Sequence, residues 1–129
     1  MNPNPESPVT FREIEAGAAR IGIATLNRPA QVNALNLEMC SLLLERLRAW
    51  QSDEGIAAVL LQGAGDKGFC AGGDVAQVVR EVRAGGPGRF VYGDAFFTVE
   101  YDLDLLIHQA LKVRAYADRA GARVLRSDS

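Results

Sequence analysis

The stretch Gly63-Ala64-Gly65-Asp66-Lys67-Gly68-Phe69-Cys70-Ala71-Gly72-Gly73-Asp74 holds five glycines in twelve positions, and Val75, Val78, Val79 and Val82 follow it at helical spacing. A glycine-rich turn that opens a helix leaves backbone N–H groups without intrahelical partners. It also directs the positive end of the helix dipole at whatever sits there, so it can stabilise an anion. Absence of Cβ at Gly72 and Gly73 admits a ligand close to the main chain, and Asp74 is placed to cap a helix beginning at Val75. On spacing alone the same turn serves equally well as a structural strand-to-helix connection whose glycines only supply positive φ. Neither phosphate-loop pattern fits: no Gly-Lys-Ser/Thr follows at the required distance, and Gly63, Gly65 and Gly68 precede the helix by too many residues.

Glu100 is the second candidate. Steps of three or four from it reach Phe96, Phe97, Leu103 and Ile107, so it sits at the edge of an apolar helical stripe, where a carboxylate is costly unless paired or hydrated in a site. The plainer reading is a boundary glutamate that snorkels to water. His108 stands four residues after Asp104 and reads as a solvated i,i+4 pair, with no Ser or Cys partner identifiable. Cys70 adjoins the glycine loop, where an anion-stabilising environment would depress a thiol pKa, but a small buried side chain is the favoured role. Asp66-Lys67 reads as a loop-tip charge pair, and Leu47 and Trp50 as core.

These residues need elements to position them. Residues 1 to 8, rich in Pro and Asn, read as a flexible lead-in. Alternation over Val9 to Glu15 and Ile21 to Leu26, joined by Ala16-Gly17-Ala18-Ala19, predicts a hairpin that Asn27-Arg28-Pro29 stops. Asn36 is a plausible N-cap for a helix of about four turns with its stripe at Leu37, Cys40, Leu44 and Leu47, flanked by Leu43 and Trp50. Ile56 to Gln62 is a continuous apolar run, the pattern of a strand buried on both faces. Gly85-Gly86-Pro87-Gly88 separates the helix after Val75 from a longer one with Phe96, Val99, Leu103, Leu106 and Ala110 in register, widened by Phe97 and Ile107. Strands alternating with helices in this way predict an α/β layer fold.

The chain has 129 residues, one domain's worth, with 14 Lys and Arg against 16 Asp and Glu, so no overall basic field favours nucleic acid or an anionic membrane. Hydrophobic residues make up 48% and charged residues 23%, a globular composition. No apolar stretch reaches membrane-spanning length, and the first residues show neither a basic region nor an apolar run, so the cytosol is the expected compartment. Two cysteines and one histidine predict free thiols and no zinc.

Three segments carry a family resemblance in their order and spacing. Ile23-Ala24-Thr25-Leu26-Asn27-Arg28-Pro29, Asn33-Ala34-Leu35-Asn36 and Phe69-Cys70-Ala71-Gly72-Gly73-Asp74 resemble the crotonase, or enoyl-CoA hydratase/isomerase, superfamily over about residues 9 to 111. The Cys-Ala-Gly-Gly-Asp form, the Gly-rich insert at 85 to 88 and Phe96-Phe97-Thr98-Val99-Glu100-Tyr101 look most like its 3-hydroxyisobutyryl-CoA hydrolase branch. The fold implied is the N-terminal part of a crotonase-like repeat of ββα units. The function implied is hydrolysis of a short hydroxyacyl-CoA thioester in valine breakdown, with coenzyme A as part of the substrate, no separate cofactor and no metal. Alternatives of the same family are enoyl-CoA hydration or isomerisation, and, from another class, a non-catalytic CoA-binding module or decaying gene fragment. The complete family protein is a homo-oligomer by the same resemblance.

The resemblance also assigns residues. A backbone donor at Ala71-Gly72 stabilises the thioester oxyanion, and loss of one such donor costs on the order of 3 kcal/mol. Gly73 and Asp74 adjoin the substrate, backbone near Asn33-Ala34 holds the pantetheine and nucleotide parts of CoA, and Glu100 binds substrate near the acyl group without acting as nucleophile. Beyond a lysine at the position of Lys112 the family pattern has a proline, an apolar strand and a Gly-Gly-Gly turn carrying the second oxyanion donor, and Val113-Arg114-Ala115-Tyr116-Ala117-Asp118 holds none of them. The counterparts of the catalytic Glu and Asp would fall past residue 129. Residues 112 to 129 carry five Lys/Arg and two Asp, net +3, which leaves −5 for the rest. The expectation is therefore a flexible segment at 1–8, a partial crotonase-like domain at 9–111 and a divergent basic tail at 112–129 from a frameshift or premature stop.

Overall fold

Alternating apolar residues drive the first two elements into a hairpin. Strands β1 (Val9–Ala16) and β2 (Ala19–Leu26) pair antiparallel, with Val9 opposite Leu26 and Ala16 opposite Ala19. The turn is therefore two residues long, because the alanines expected in the connector extend the ladder. The computed structural model describes residues 6–109, 113–118 and 121–124, the last two stretches as backbone, so the expectations for residues 1–5, Ala110 and Lys112 lie outside it.

After β2, Pro29–Gln31 forms one 3-10 turn, and Val32 and Asn33 follow at φ 51° and 57°. Helix α1 (Leu37–Ser52) starts at Asn36 as expected, its side-chain oxygen accepting from Met39 N–H at 2.9 Å. Most of the predicted stripe is buried: Cys40, Leu43, Leu44, Leu47 and Trp50 join Phe11, Leu26, Val59 and Leu61 in the core, while Leu37 is only partly buried against it. Strand β3 (Ile56–Gly63) runs parallel to β2, with Ile23 opposite Leu60. Ile56, Val59 and Leu61 are buried, whereas Ala57 is exposed and Leu60 half-buried. The expected burial on both faces is thus met fully on one.

Trp50 fixes α1 to the sheet edge. Its ring lies edge-on to Phe11 at 5.9 Å, and its Nε1–H donates to Glu13 at 2.9 Å. Arg20 joins Glu13 to Asp53, at 2.6 and 3.0 Å. The indole bond, then the guanidinium, hold the Glu13 carboxyl below its ordinary range.

Helix α2 (Ala76–Ala84) contains no buried residue. Helix α3 (Val91–Gln109) packs on α1 through Phe96 and Leu103, both fully buried. Phe97, expected to widen that stripe, is half exposed. Strand β4 (Val113–Asp118) then lies parallel to β3, with Leu61 opposite Tyr116, and β5 (Gly121–Val124) returns antiparallel. The sheet order is β1-β2-β3-β4-β5. This corrects the expectation that Val113 to Asp118 lacks the strand of the family pattern: the alternation of Val113, Ala115 and Ala117 with Arg114, Tyr116 and Asp118 has the period of two that a strand requires.

Candidate active site

The glycine loop leaves the end of β3 and is pinned to the segment after β2. Asn33 does the pinning. It is fully buried, and left-handed backbone geometry turns its side chain into the loop. Its oxygen accepts from Arg28 N–H at 2.9 Å, and its amide nitrogen donates to the carbonyls of Ala64 at 2.9 Å and Phe69 at 3.0 Å. Asparagine tolerates this backbone region better than most residues.

A short parallel bridge joins Leu35 to Gly73. Leu35 N–H donates to Gly72 O at 2.8 Å, and Asp74 N–H donates to Leu35 O at 2.6 Å. Gly73 is therefore held from both sides while its own N–H donates to no partner among the described residues. Gly72 has φ 99°, which side chains rarely adopt, and a Cβ on Gly73 would run into Glu100 Oε2. The two glycines thus have separate reasons: one is conformational, the other is close approach.

The turn corrects several assignments. Ala71 N–H, the expected oxyanion donor, donates instead to Val32 O at 2.9 Å. Gly72 N–H faces Cys70 Sγ at 3.4 Å. The open amide is Gly73, which the sequence reading placed only beside the substrate. Asn33 and Ala34 do not offer their amides to a ligand either: Asn33 N–H donates to Arg28 O at 2.9 Å and Ala34 N–H to Gln31 O at 3.1 Å. The Ala34 carbonyl accepts from Arg28 Nη1 at 2.6 Å. Asp74 is internal too, with Oδ2 on Arg28 Nη1 at 3.0 Å and Oδ1 accepting from Ala76 N–H at 3.1 Å. That backbone bond, then Arg28, lowers its carboxyl pKa. α2 consequently starts one residue later than expected, with Asp74 acting from the position before the cap.

Glu100 projects from α3 onto this turn, its Oε2 beside Gly73. Burial, then Asp104 one helical turn away, raise its carboxyl pKa. Beside it lies a cleft of about 260 Å³ lined by aliphatic side chains including Leu26, Leu35, Leu61 and Ile107, with Cys70, Gly72 and Asp104 also on its wall. Asp104 was read only as a partner for His108, yet the two form no ion pair among the described residues. Its i,i+4 spacing from Glu100 was the available signal. Asp66 and Lys67 likewise form no pair. The signal for Arg28 was weaker, since only the fold brings it to Asp74.

Burial pushes the Cys70 thiol up rather than down, and its Sγ–H donates to Asn33 O at 3.3 Å. Burial drives Cys40 further, to about 12. Neither thiol is poised as a nucleophile. Among the described residues no three His, Cys, Asp or Glu side chains gather to hold a metal, and no helix is long and apolar enough to cross a membrane.

This arrangement sets the Gly73 amide, without a partner among the described residues, beside a carboxylate and an apolar cleft. Comparison with known proteins bears on what such a site serves. The chain is 42% identical over 87 residues to 3-hydroxyisobutyryl-CoA hydrolase 1 of Arabidopsis thaliana, covering 67% of this chain and 22% of that protein. It is 35% identical over 104 residues to the mitochondrial 3-hydroxyisobutyryl-CoA hydrolase of Danio rerio, covering 81% and 25% respectively. The chain thus spans about a quarter of the length of these relatives. The crystal structure of a carnitinyl-CoA dehydratase from Mycobacterium thermoresistibile superposes with a TM-score of 0.72 at 37% identity, over 86% of this chain and 30% of that one. A family model described as enoyl-CoA hydratase/isomerase matches residues 21–115, from within β2 through the glycine turn and both later helices, and the chain belongs to that family.

Proposed function

We propose that this chain binds an acyl-CoA thioester with its carbonyl oxygen at Gly73 N–H and its acyl group in the adjoining aliphatic cleft. The observation that carries this reading is the Gly73 amide, clamped through both neighbours yet without a partner of its own among the described residues. A fixed amide of this kind stabilises charge developing on a thioester oxygen without reorganising. Glu100, beside it, receives a substrate hydroxyl or, when protonated, donates to one.

The reaction proposed for the protein is hydrolysis of a short hydroxyacyl-CoA, the activity named for the two curated relatives. Coenzyme A arrives within the substrate. A second reading, hydration of an enoyl-CoA, is favoured by the likeness to the carnitinyl-CoA dehydratase. Both reactions use a polarised thioester carbonyl. They differ in whether water reaches the carbonyl carbon or the β carbon. The compartment proposed is the cytosol, while the relative from Danio rerio is named as mitochondrial.

The test supplies 3-hydroxyisobutyryl-CoA and crotonyl-CoA separately, following thiol release and loss of the conjugated enoyl absorbance. Thiol release from the hydroxyacyl substrate is the expected result, and loss of enoyl absorbance alone selects hydration. Calorimetric binding without either signal selects the non-catalytic CoA module. No heat from a folded sample overturns the reading.

A further inference from the structure

Arg28 reaches both segments that hold the open amide. Its Nη1 donates to Ala34 O at 2.6 Å and to Asp74 Oδ2 at 3.0 Å, while its own N–H is fixed by Asn33 Oδ1 at 2.9 Å. Both side chains of the ion pair are largely buried, with 20% and 22% exposed, so solvent screens the pair less than a surface bridge. Asp74 immediately follows Gly73, and Leu35, which clamps the turn, immediately follows Ala34. One guanidinium nitrogen therefore ties together the residues next to both strands of the Leu35–Gly73 bridge.

We propose that Arg28 is a positioning residue: through Asp74 and Ala34 it fixes the direction of the Gly73 N–H, and thereby sets how strongly the site distinguishes a thioester carbonyl from the same ligand without one. The inference rests on the acyl-CoA reading of the site. Arg28 touches no ligand in this scheme. Its effect appears only in groups that hydrogen-bond to Gly73, because hydrogen-bond strength falls steeply with misalignment.

The charge alone does not suffice. Lysine is a compact point charge on a flexible stem and lacks the planar fork that holds the Arg28 nitrogen in place, so Arg28→Lys restores the discrimination only in part. Asp74→Asn keeps an oxygen for Ala76 N–H and removes the charge from the pair.

The experiment measures calorimetric affinities of butyryl-CoA and of S-butyl-CoA, a thioether without the carbonyl, for the wild type, Arg28→Gln, Asp74→Asn and the double variant. The wild type is expected to prefer butyryl-CoA. Each single variant is expected to lose on the order of tenfold in that preference while S-butyl-CoA binding stays within about twofold. The double variant is expected to be no worse than either single one, since both break the same link. A merely structural role would weaken both ligands together, and that result, or an unchanged preference, overturns the inference. Should Arg28→Gln fail to fold, Asp74→Asn, which retains its bond to Ala76, gives the same reading. A wild type with no preference for the carbonyl ligand overturns the Gly73 assignment itself and this inference with it, whereas preference in the wild type that survives in the variants overturns only the latter.

Discussion

Gly73 and Glu100 share a space in which neither tolerates much change. A Cβ at position 73 would meet the Glu100 carboxylate, so Gly73→Ala must move the side chain, the turn or both. The expected outcome is loss of acyl-CoA affinity by at least about tenfold, measured by calorimetry, with little change in the melting temperature because position 73 is itself exposed. Glu100 gives a pH signature with a definite sign. Its folded pKa is raised above the ordinary 4.5, first by burial and then by Asp104, so the folded state favours the protonated form. Its ionisation therefore works against folding at neutral pH, and its protonation as the pH falls toward 4.5 removes that penalty. Glu100→Gln is expected to raise the melting temperature at pH 7, an advantage that shrinks as the pH falls through the raised folded pKa and is gone by the ordinary value of 4.5. Equal melting of the two proteins across pH 4 to 7 would contradict the raised pKa.

At the scale of elements, the two asparagines differ by what each holds. Asn36 caps one helix, and Asn36→Ala is expected to cost about 1 kcal/mol. Asn33 satisfies a backbone amide and two loop carbonyls from a buried left-handed position, so Asn33→Ala leaves several polar groups unpaired and strains the backbone. Urea unfolding is expected to show a loss of about 2–4 kcal/mol for it, and a loss no greater than that of Asn36→Ala would deny Asn33 its role. The contrast shows what the sequence makes legible. The hairpin, the Asn36 cap and the α1 stripe follow from local periodicity and capping chemistry, and the structure keeps them. Glycine at 72 and 73 likewise signalled a special turn. Which amide stays open was not legible, because it depends on Val32, 39 residues earlier and marked by neither charge nor pattern, accepting from Ala71 across the fold. Asn33 was noticed as part of a motif, but its connections to Arg28, Ala64 and Phe69 exist only once the loops meet. β4 was hidden for another reason: Arg114, Tyr116 and Asp118 break the apolar run that the family pattern has there, although their alternation with Val113, Ala115 and Ala117 already permits a strand.

Across the whole molecule, burial is concentrated between α1, α3 and one face of the sheet, and the outer helices carry apolar side chains that the described residues leave uncovered. On α3, Phe97, Tyr101 and Leu105 recur every four residues and are 50%, 66% and 41% exposed, while Val75 at the N-cap of α2 and Val79 and Val82 within it are 45%, 39% and 39% exposed. Side chains at this spacing share one helical face, so the exposure is a stripe instead of scattered single residues. Stripes of this kind promote association. Sedimentation velocity of the isolated chain is therefore expected to show species larger than monomer that grow with concentration. The substitutions Tyr101→Glu and Leu105→Lys break the α3 stripe while leaving in place Phe96 and Leu103, the buried side chains that hold α3 to α1. That double variant is expected to shift toward monomer while its stability stays within roughly 0.5 kcal/mol per substitution, as for other surface changes. A wild-type chain that sediments as monomer at every concentration would mean that the α2 and α3 faces are covered by part of the same chain, and protection of the α3 amides against hydrogen exchange would then exceed what its packing on α1 alone supplies.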